Sequence, residues 1–474
     1  MEDLTNKLKK SLSLSFFDKY VGYFLRFIAT VIVARLVTPD DIGIFSVAFV
    51  VISLGHVIRD FGVAQFLIKE KEINQDKIVA AFTLMLIISW GLFILMYWAR
   101  HPIADFYNKP ELNEALQILS LIFLFAPFGS VRIALLRRDM NFVSLAKINI
   151  ASYLSLQIVT VILAFLGWGY LALAWGQIAG VLATMLGTFV YYKLPFMMPR
   201  LKGIRGVMRF GINISATNVG ESLASGSPDL ILGRVLNMEA VGFFGRAQSL
   251  ISLFKIAVQA AVWPVVLPYF SSKDRQGLSI LEDYEKAIRY YTTFALPFLA
   301  VLGIASELMI EVLFGGTWLP ASPIVKWLCI GAMLETCFPF LGPFLVALAH
   351  EKLNLGLQWV NTALIATTIL IGSLHSLVFA AIGFVVAQLI TAIVTMALVS
   401  KYTGFSIDYL GRALSKNIML TIFVSLIAKS VLLVPVHNIY LQLAILAIIL
   451  LTAWVSFIWM TDHPLRPFLK LRKI

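Results

Sequence analysis

The sequence predicts an all-α polytopic membrane protein of about 14 transmembrane helices, with two six-helix lobes related by a pseudo-two-fold axis along the membrane normal and two further C-terminal helices. Three observations predict this. Of 474 residues, 59% are hydrophobic and only 14% charged, with a mean hydropathy of +0.87. Soluble domains carry about 25% charged residues, so this chain has too little polar surface to face water on all sides, which argues against a soluble enzyme. Apolar runs of about 20 residues, the length that crosses a bilayer core, recur along the whole chain. Finally, its two halves share a sequence repeat.

The apolar segments fall at 14–37, 42–66, 78–99, 115–136, 144–166, 169–192, 207–233, 241–268, 287–314, 323–348, 353–374, 377–400, 416–434 and 440–460. The first and seventh carry charges within the span. The first run is interrupted by Lys19 and Arg26 and is too long for a signal-peptide core, so it is expected to remain as an uncleaved span. The connections are too short to hold a soluble catalytic domain.

Lysine and arginine set the expected orientation. The net charge is +12, with 38 basic residues. With a cytoplasmic N-terminus and residues at span ends counted with the adjoining connections, 26 of the 38 fall on the inner side, 4 (Arg35, Arg100, Lys109 and Arg234) on the outer side, and 8 within spans. That asymmetry predicts an even helix count with both termini cytoplasmic. It also removes nucleic acid as a partner, because the basic residues lie in short clusters between apolar runs and not on one polar face. Cys329 and Cys337 share one apolar segment; eight residues of helix rise about 12 Å, too far for a disulfide. No metal-ligand spacing is present, and no metal or cofactor is expected.

The repeat aligns Ile32–Val63 with Ile231–Val262 without a gap. Identities fall at Ile32, Arg35, Gly43, Phe45, Ala48, Ile52, Ser53, Leu54 and Val63. About six helices separate the copies, so both halves keep one orientation, as in transporters with parallel repeats. The expected organisation is an N-terminal lobe at 1–192, a cytoplasmic linker at 193–206, a C-terminal lobe at 207–400, and two extra helices with a basic tail at 401–474.

The stretch Ala34-Arg35-Leu36-Val37-Thr38-Pro39-Asp40-Asp41-Ile42-Gly43, followed by Arg59-Asp60-Phe61-Gly62, resembles the polysaccharide transporter family, the Wzx-type flippases of the multidrug/oligosaccharidyl-lipid/polysaccharide (MOP) exporter superfamily. In the second half, Asp229 to Arg234, Gly242 to Ala247, and Pro264 and Pro268 before Ser271 resemble the family's seventh and eighth helices. Ile42 stands where the family usually has an aromatic. The resemblance implies a non-enzymatic flippase of polyprenyl-diphosphate-linked oligosaccharides in the bacterial inner membrane. It would serve cell-surface polysaccharide biosynthesis, such as lipopolysaccharide or exopolysaccharide. It also implies two lobes around a central cavity that opens alternately to each side. Expected partners are the lipid-linked oligosaccharide, membrane lipids, and a polysaccharide polymerase or glycosyltransferases.

The charges inside the spans point the same way from physical chemistry alone. A charge at the bilayer centre costs about 2.5–3.5 kcal/mol on insertion scales, so it should face a cavity or a partner. Five of the eight in-span basic residues, Lys19, Arg26, Arg59, Arg246 and Lys255, fall in the first, second and eighth segments. Lys19, Tyr23 and Arg26 share one helical face. His56 and Arg59 share another, and His56 aligns with Lys255 under the repeat. Such groups suit a diphosphate, whose oxygens accept charge-assisted hydrogen bonds. The candidate substrate-binding set is therefore Arg26, His56, Arg59 and Lys255, with Lys19 and Arg246 at its margin. Blander explanations stand beside it. Lys19 lies where snorkelling also explains it, Arg246 lies near the outer end and reads as interfacial, and Arg59 and Asp60 each also fit a structural pair with another helix. Arg132, Lys326 and Lys429 read as snorkelling or locally paired.

Among in-span acids, Asn218, Glu221, Ser225 and Asp229 form one polar stripe on the seventh segment, and Glu335 lies mid-span in the tenth. For Asp60, Glu221, Asp229 and Glu335 two roles stand open: coupling to sodium or protons, or neutralising a neighbouring cation. Gly226 and Pro228 on the seventh segment, and Pro339, Gly342 and Pro343 on the tenth, predict kinks or hinges.

Other functions weigh less. No G-x4-G-K-[ST] phosphate loop is present. A drug exporter of the same superfamily would favour an apolar or acidic pocket for cations, and a membrane polymerase or ligase would carry a large outer loop with Arg and His; here the outer loops are short.

Overall fold

The computed structural model describes residues 20–60, 62–194, 198–200, 222–434, 436 and 438–461; for residues 60, 256–261, 263 and 264 it describes the backbone alone. The order is α1 (Tyr20–Ala34), α2 (Pro39–Asp60), α3 (Val63–Lys69), α4 (Gln75–Tyr107), α5 (Glu111–Arg138), α6 (Phe142–Phe165), α7 (Tyr170–Tyr191), α8 (222–235) and α9 (Met238–Arg275). Then follow α10 (Leu281–Ile304), α11 (Ser306–Leu313), a 3-10 turn (Gly316–Ala321), α12 (Ser322–Glu335), α13 (Leu341–Ala347), α14 (Glu351–Ser373), α15 (Leu377–Thr403), α16 (Ile407–Leu432) and α17 (Ile439–Met460). Each of the fourteen predicted segments holds a helix, and 11 described helices are long and apolar enough to cross a membrane. Residues 207–221 of the seventh segment lie outside the described residues.

Of the two predicted sites of kinking, the tenth segment is interrupted, whereas α8 stays helical through Gly226 and Pro228; the second and ninth segments carry breaks the sequence did not predict. The second segment divides at Gly62, whose φ of +65° is a left-handed conformation that glycine adopts without steric cost. The tenth segment divides between α12 and α13 around Pro339, with Phe340 at φ +56°. The ninth divides at Ala305 into α10 and α11.

The chain packs as two compact units, Met1–Gly242 and Phe243–Ile474, dividing inside α9. In the first unit, α5 is the central helix, packing on α2, α3, α4 and α7. Its Leu112, Ala115, Leu116, Leu119 and Phe123 are wholly buried. Arg138 at its end donates to the carbonyls of Leu67 (2.8 Å), Glu70 (2.5 Å) and Lys71 (3.1 Å), satisfying the orphan carbonyls at the end of α3. On α8, a Cβ at Gly226 would fall 2.4 Å from Val50 Cγ1 and one at Gly233 would fall 2.9 Å from Val47 Cγ2. These small residues let α8 lie close against α2.

In the second unit, α10 packs on α12 and α16. Its core beside the turn at residues 276–280 is aromatic: Tyr284 stacks on Phe344 at 4.1 Å between centroids, with Phe270 and Phe405 edge-on to both. The two C-terminal helices outside the repeat are fastened to α10 by polar groups. Asn417 on α16, wholly buried, donates to Thr292 Oγ1 (2.7 Å) and the Arg289 carbonyl (2.8 Å). Trp454 Nε1 on α17 donates to the Thr293 carbonyl at 3.2 Å. Interhelical hydrogen bonds of this kind are favoured where water offers no alternative partner.

Candidate functional site

The repeat has a structural counterpart. Thr38 caps α2, accepting from the Asp41 amide at 3.2 Å, while Asp41 accepts from the Thr38 amide and hydroxyl at 3.3 and 2.6 Å. This reciprocal arrangement is a capping box. Asn237, the repeat equivalent of Thr38, caps α9 by accepting from the Ala240 amide at 2.8 Å. Asp41 also accepts from the Tyr170 amide at 3.1 Å, and Asp40 pairs with Lys109 at 2.9 Å, so the start of α2 is tied to the ends of α4 and α7.

The candidate residues take different places. On α1, Arg26 is exposed. On α2, His56 and Arg59 are half-buried one turn apart, and the His56 ring meets Phe123 edge-on at 5.3 Å. Lys255, on the equivalent turn of α9, forms an ion pair with Glu335 at 2.5 Å. The two groups were separate candidates in the sequence, one for anion binding and one for ion coupling or charge pairing; the structure brings them together. Lys19 and Glu221 lie outside the described residues, as does the side chain of Asp60.

Arg246 packs against aromatic rings. Its guanidinium lies 5.4 Å from the Phe314 ring and 5.1 Å from the Trp318 ring, and its Nε is buried with no hydrogen-bond partner among the described residues. The wholly buried Trp318 and Phe314 come from a segment over 60 residues downstream, so no local spacing could reveal the contact. Arg132 and Lys326 are locally paired, Arg132 with the Phe128 carbonyl at 2.7 Å and over the Phe189 ring at 4.0 Å, Lys326 with Glu307 at 2.8 Å. Asp229 on α8 has Oδ1 buried without a hydrogen-bond partner among the described residues.

Sequence reasoning missed a second charged cluster. Glu285 on α10, with its side chain only 10% exposed, accepts from Arg289 one turn on and from Arg412 on α16 at 3.2 Å. The i, i+4 spacing of Glu285 and Arg289 was visible as a signal; the Arg412 contact was not.

The solved structures that this chain resembles share its fold. It is similar to the lipid II flippase MurJ in an inward closed conformation, with a TM-score of 0.75 at 14% identity over 96% of this chain and 99% of that one. It is also similar to an inward-facing multidrug resistance MATE transporter of the MOP superfamily, with a TM-score of 0.59 at 15% identity over 82% and 94%. The fold is thus that of these polytopic transporters. Among curated relatives, an uncharacterized membrane protein in the cps region of Klebsiella pneumoniae is 25% identical over 82% of both chains. The lipopolysaccharide biosynthesis protein WzxC of Escherichia coli is 23% identical over 78% of this chain and 76% of that one. The succinoglycan biosynthesis transport protein ExoT of Rhizobium meliloti is 24% identical over 84% and 79%. Residues 32–323 match the family described as polysaccharide biosynthesis protein, and the chain belongs to that family.

Proposed function

We propose that this multi-pass membrane protein is a flippase that moves a polyprenyl-diphosphate-linked oligosaccharide from the cytoplasmic to the outer leaflet of the bacterial inner membrane, by alternating access, for cell-surface polysaccharide synthesis. The observation that carries the proposal is the family match over residues 32–323 in a chain whose fold follows a lipid II flippase over 96% of its length. Both termini are cytoplasmic in this proposal, from the distribution of Lys and Arg. The multidrug transporters share the fold, but the family match favours a saccharide-linked substrate over a drug.

Arg26, His56 and Arg59 of the first unit hold the diphosphate through charge-assisted hydrogen bonds. In the second unit, Lys255 is a further proposed donor to the substrate when its pair with Glu335 opens, so substrate and Glu335 compete for one ammonium. An inside-negative potential favours outward movement of the anionic head group. Asp229 is the proposed coupling carboxylate, because Oδ1 is buried without a hydrogen-bond partner among the described residues whereas Glu335 is engaged. If Asp229→Asn leaves the sodium and proton dependence of transport as it was, coupling lies elsewhere. Binding of a polyprenyl diphosphate to the purified protein tests the anion site: Arg26→Ala and Arg59→Ala should each weaken it, and unchanged affinity in folded variants would refute the assignment.

A further inference from the structure

Between α9 and α10, in the half of these helices next to the basic turn at residues 273–289, the second unit holds an open groove of about 480 Å³. That volume lies within the range of small-molecule sites, about 300–1,000 Å³. Its floor is Phe270, Tyr291 and Phe340, all buried, and its rim is open, with Val265 62% exposed. The end away from the basic turn is apolar, lined by the partly exposed Val262 and Phe294. The charged groups lie at the other end, where Asp283 and Lys286 with Tyr269 form the mouth, and Tyr290 and Tyr291 line the length between. From Asp283 to Phe294 the helix rises about 17 Å. A chain with an apolar length and one polar end fits this distribution.

The charges at the mouth say which end group. Asp283 is neutralised by Lys273 at 2.6 Å and accepts from Tyr269 at 3.2 Å. Glu285, on the next turn, is held by Arg289 and Arg412. Lys286 is exposed and has no carboxylate partner among the described residues, so it is the cation the mouth offers. One ammonium matches one singly charged phosphodiester, whereas a diphosphate calls for several donors. We propose that this groove binds one acyl chain of an anionic phospholipid, with the phosphodiester at Lys286. None of Arg26, His56 and Arg59 lines the groove; only the leaflet that supplies the lipid, the cytoplasmic one, rests on the proposed orientation, and anionic lipids are enriched on such surfaces.

The test uses the full chain in nanodiscs with phosphatidylglycerol or phosphatidylcholine carrying a photoactivatable group in the acyl chain, mapped by peptide mass spectrometry. Phosphatidylglycerol should label peptides spanning 262–270 and 283–294 above the rest of the lipid-facing surface. Ala287→Trp, which fills the groove, should remove that labelling, and Val265→Trp serves if Ala287→Trp fails to fold. Lys286→Gln should lower the preference for phosphatidylglycerol over phosphatidylcholine by about fivefold, the worth of one lysine near an anionic surface. Even labelling around the exterior, labelling indifferent to both tryptophan variants, or preferential labelling by a photoactivatable polyprenyl diphosphate in competition would each overturn the proposal.

Discussion

Gly43 and Gly242 occupy equivalent positions in the repeat and make the same contact in opposite directions. A Cβ on Gly43 would fall 1.8 Å from the Met238 carbonyl oxygen, and one on Gly242 would fall 2.1 Å from the Pro39 carbonyl oxygen. Pro39 and Met238 are themselves repeat equivalents, the first residues of α2 and α9. The first turns of the two helices therefore cross backbone to backbone, and the crossing has the two-fold character of the repeat that builds it. Because the obstacle on each side is main chain, a side chain here cannot be accommodated by a rotamer change.

Gly43→Ala and Gly242→Ala should each destabilise the protein by about 1–3 kcal/mol, the cost of overpacking a tight contact. The double variant should cost less than the sum, because either substitution already separates the same two turns. Thermal unfolding in detergent measures both; strict additivity would show that the two contacts are independent.

Lys255 and Glu335 are each partly exposed, 28% and 43%, so their pair is worth little by itself, on the order of 1 kcal/mol or less. Its proposed role is competition. Glu335→Gln should raise the affinity for a polyprenyl diphosphate by less than about tenfold, and Lys255→Ala should lower it. If both variants lower affinity alike, the pair is structural and Lys255 does not meet the substrate.

The Glu285 cluster should matter for stability and not for transport. Glu285→Gln leaves Arg289 and Arg412 facing one another without a carboxylate. The cost should be about 1–3 kcal/mol, below that of a fully buried pair because Arg412 is 59% exposed. Thermal unfolding reads this directly, and a variant as stable as the parent would show that the arginines find other acceptors.

Lys109, outside the spans between α4 and α5, gives a pH dependence. Burial pulls its pKa down, but the hydrogen bond and charge of Asp40, with Glu111 and Asp41, outweigh burial and leave it above the ordinary 10.5. A raised folded-state pKa stabilises fully below 10.5, and the contribution is lost as pH rises through the folded value. The stability difference between the parent and Lys109→Met should therefore hold steady between about pH 7 and 9 and shrink only in alkali. A difference that shrinks toward neutral pH would assign it to another group.

The helices and the repeat were legible because both are written locally, in runs of apolar residues and in one ungapped alignment. The capping pair Thr38 and Asn237 and the glycine pair Gly43 and Gly242 were legible as identities or equivalents, but their contact was not, since no spacing reveals which backbone lies opposite a glycine. The same limit applies to charges. Lys255 and Arg246 were recognisable as costly within a span, yet Glu335 and Trp318, which absorb that cost, are more than 70 residues away. Arg138, legible only as one of many loop cations, serves as a helix cap through carbonyls about 70 residues upstream.

The central claim is that this chain moves a polyprenyl-diphosphate-linked oligosaccharide. Purified protein in proteoliposomes, loaded with a fluorescently labelled lipid of this kind and assayed with a membrane-impermeant quencher, tests it most directly. The account predicts translocation above protein-free vesicles, slowed about tenfold or more by Arg26→Ala with Arg59→Ala, since each removes a charge-assisted hydrogen bond of about 1.5–3 kcal/mol. No translocation of any such lipid by well-folded protein would contradict the proposed function, and an undiminished rate in the double variant would contradict the proposed site.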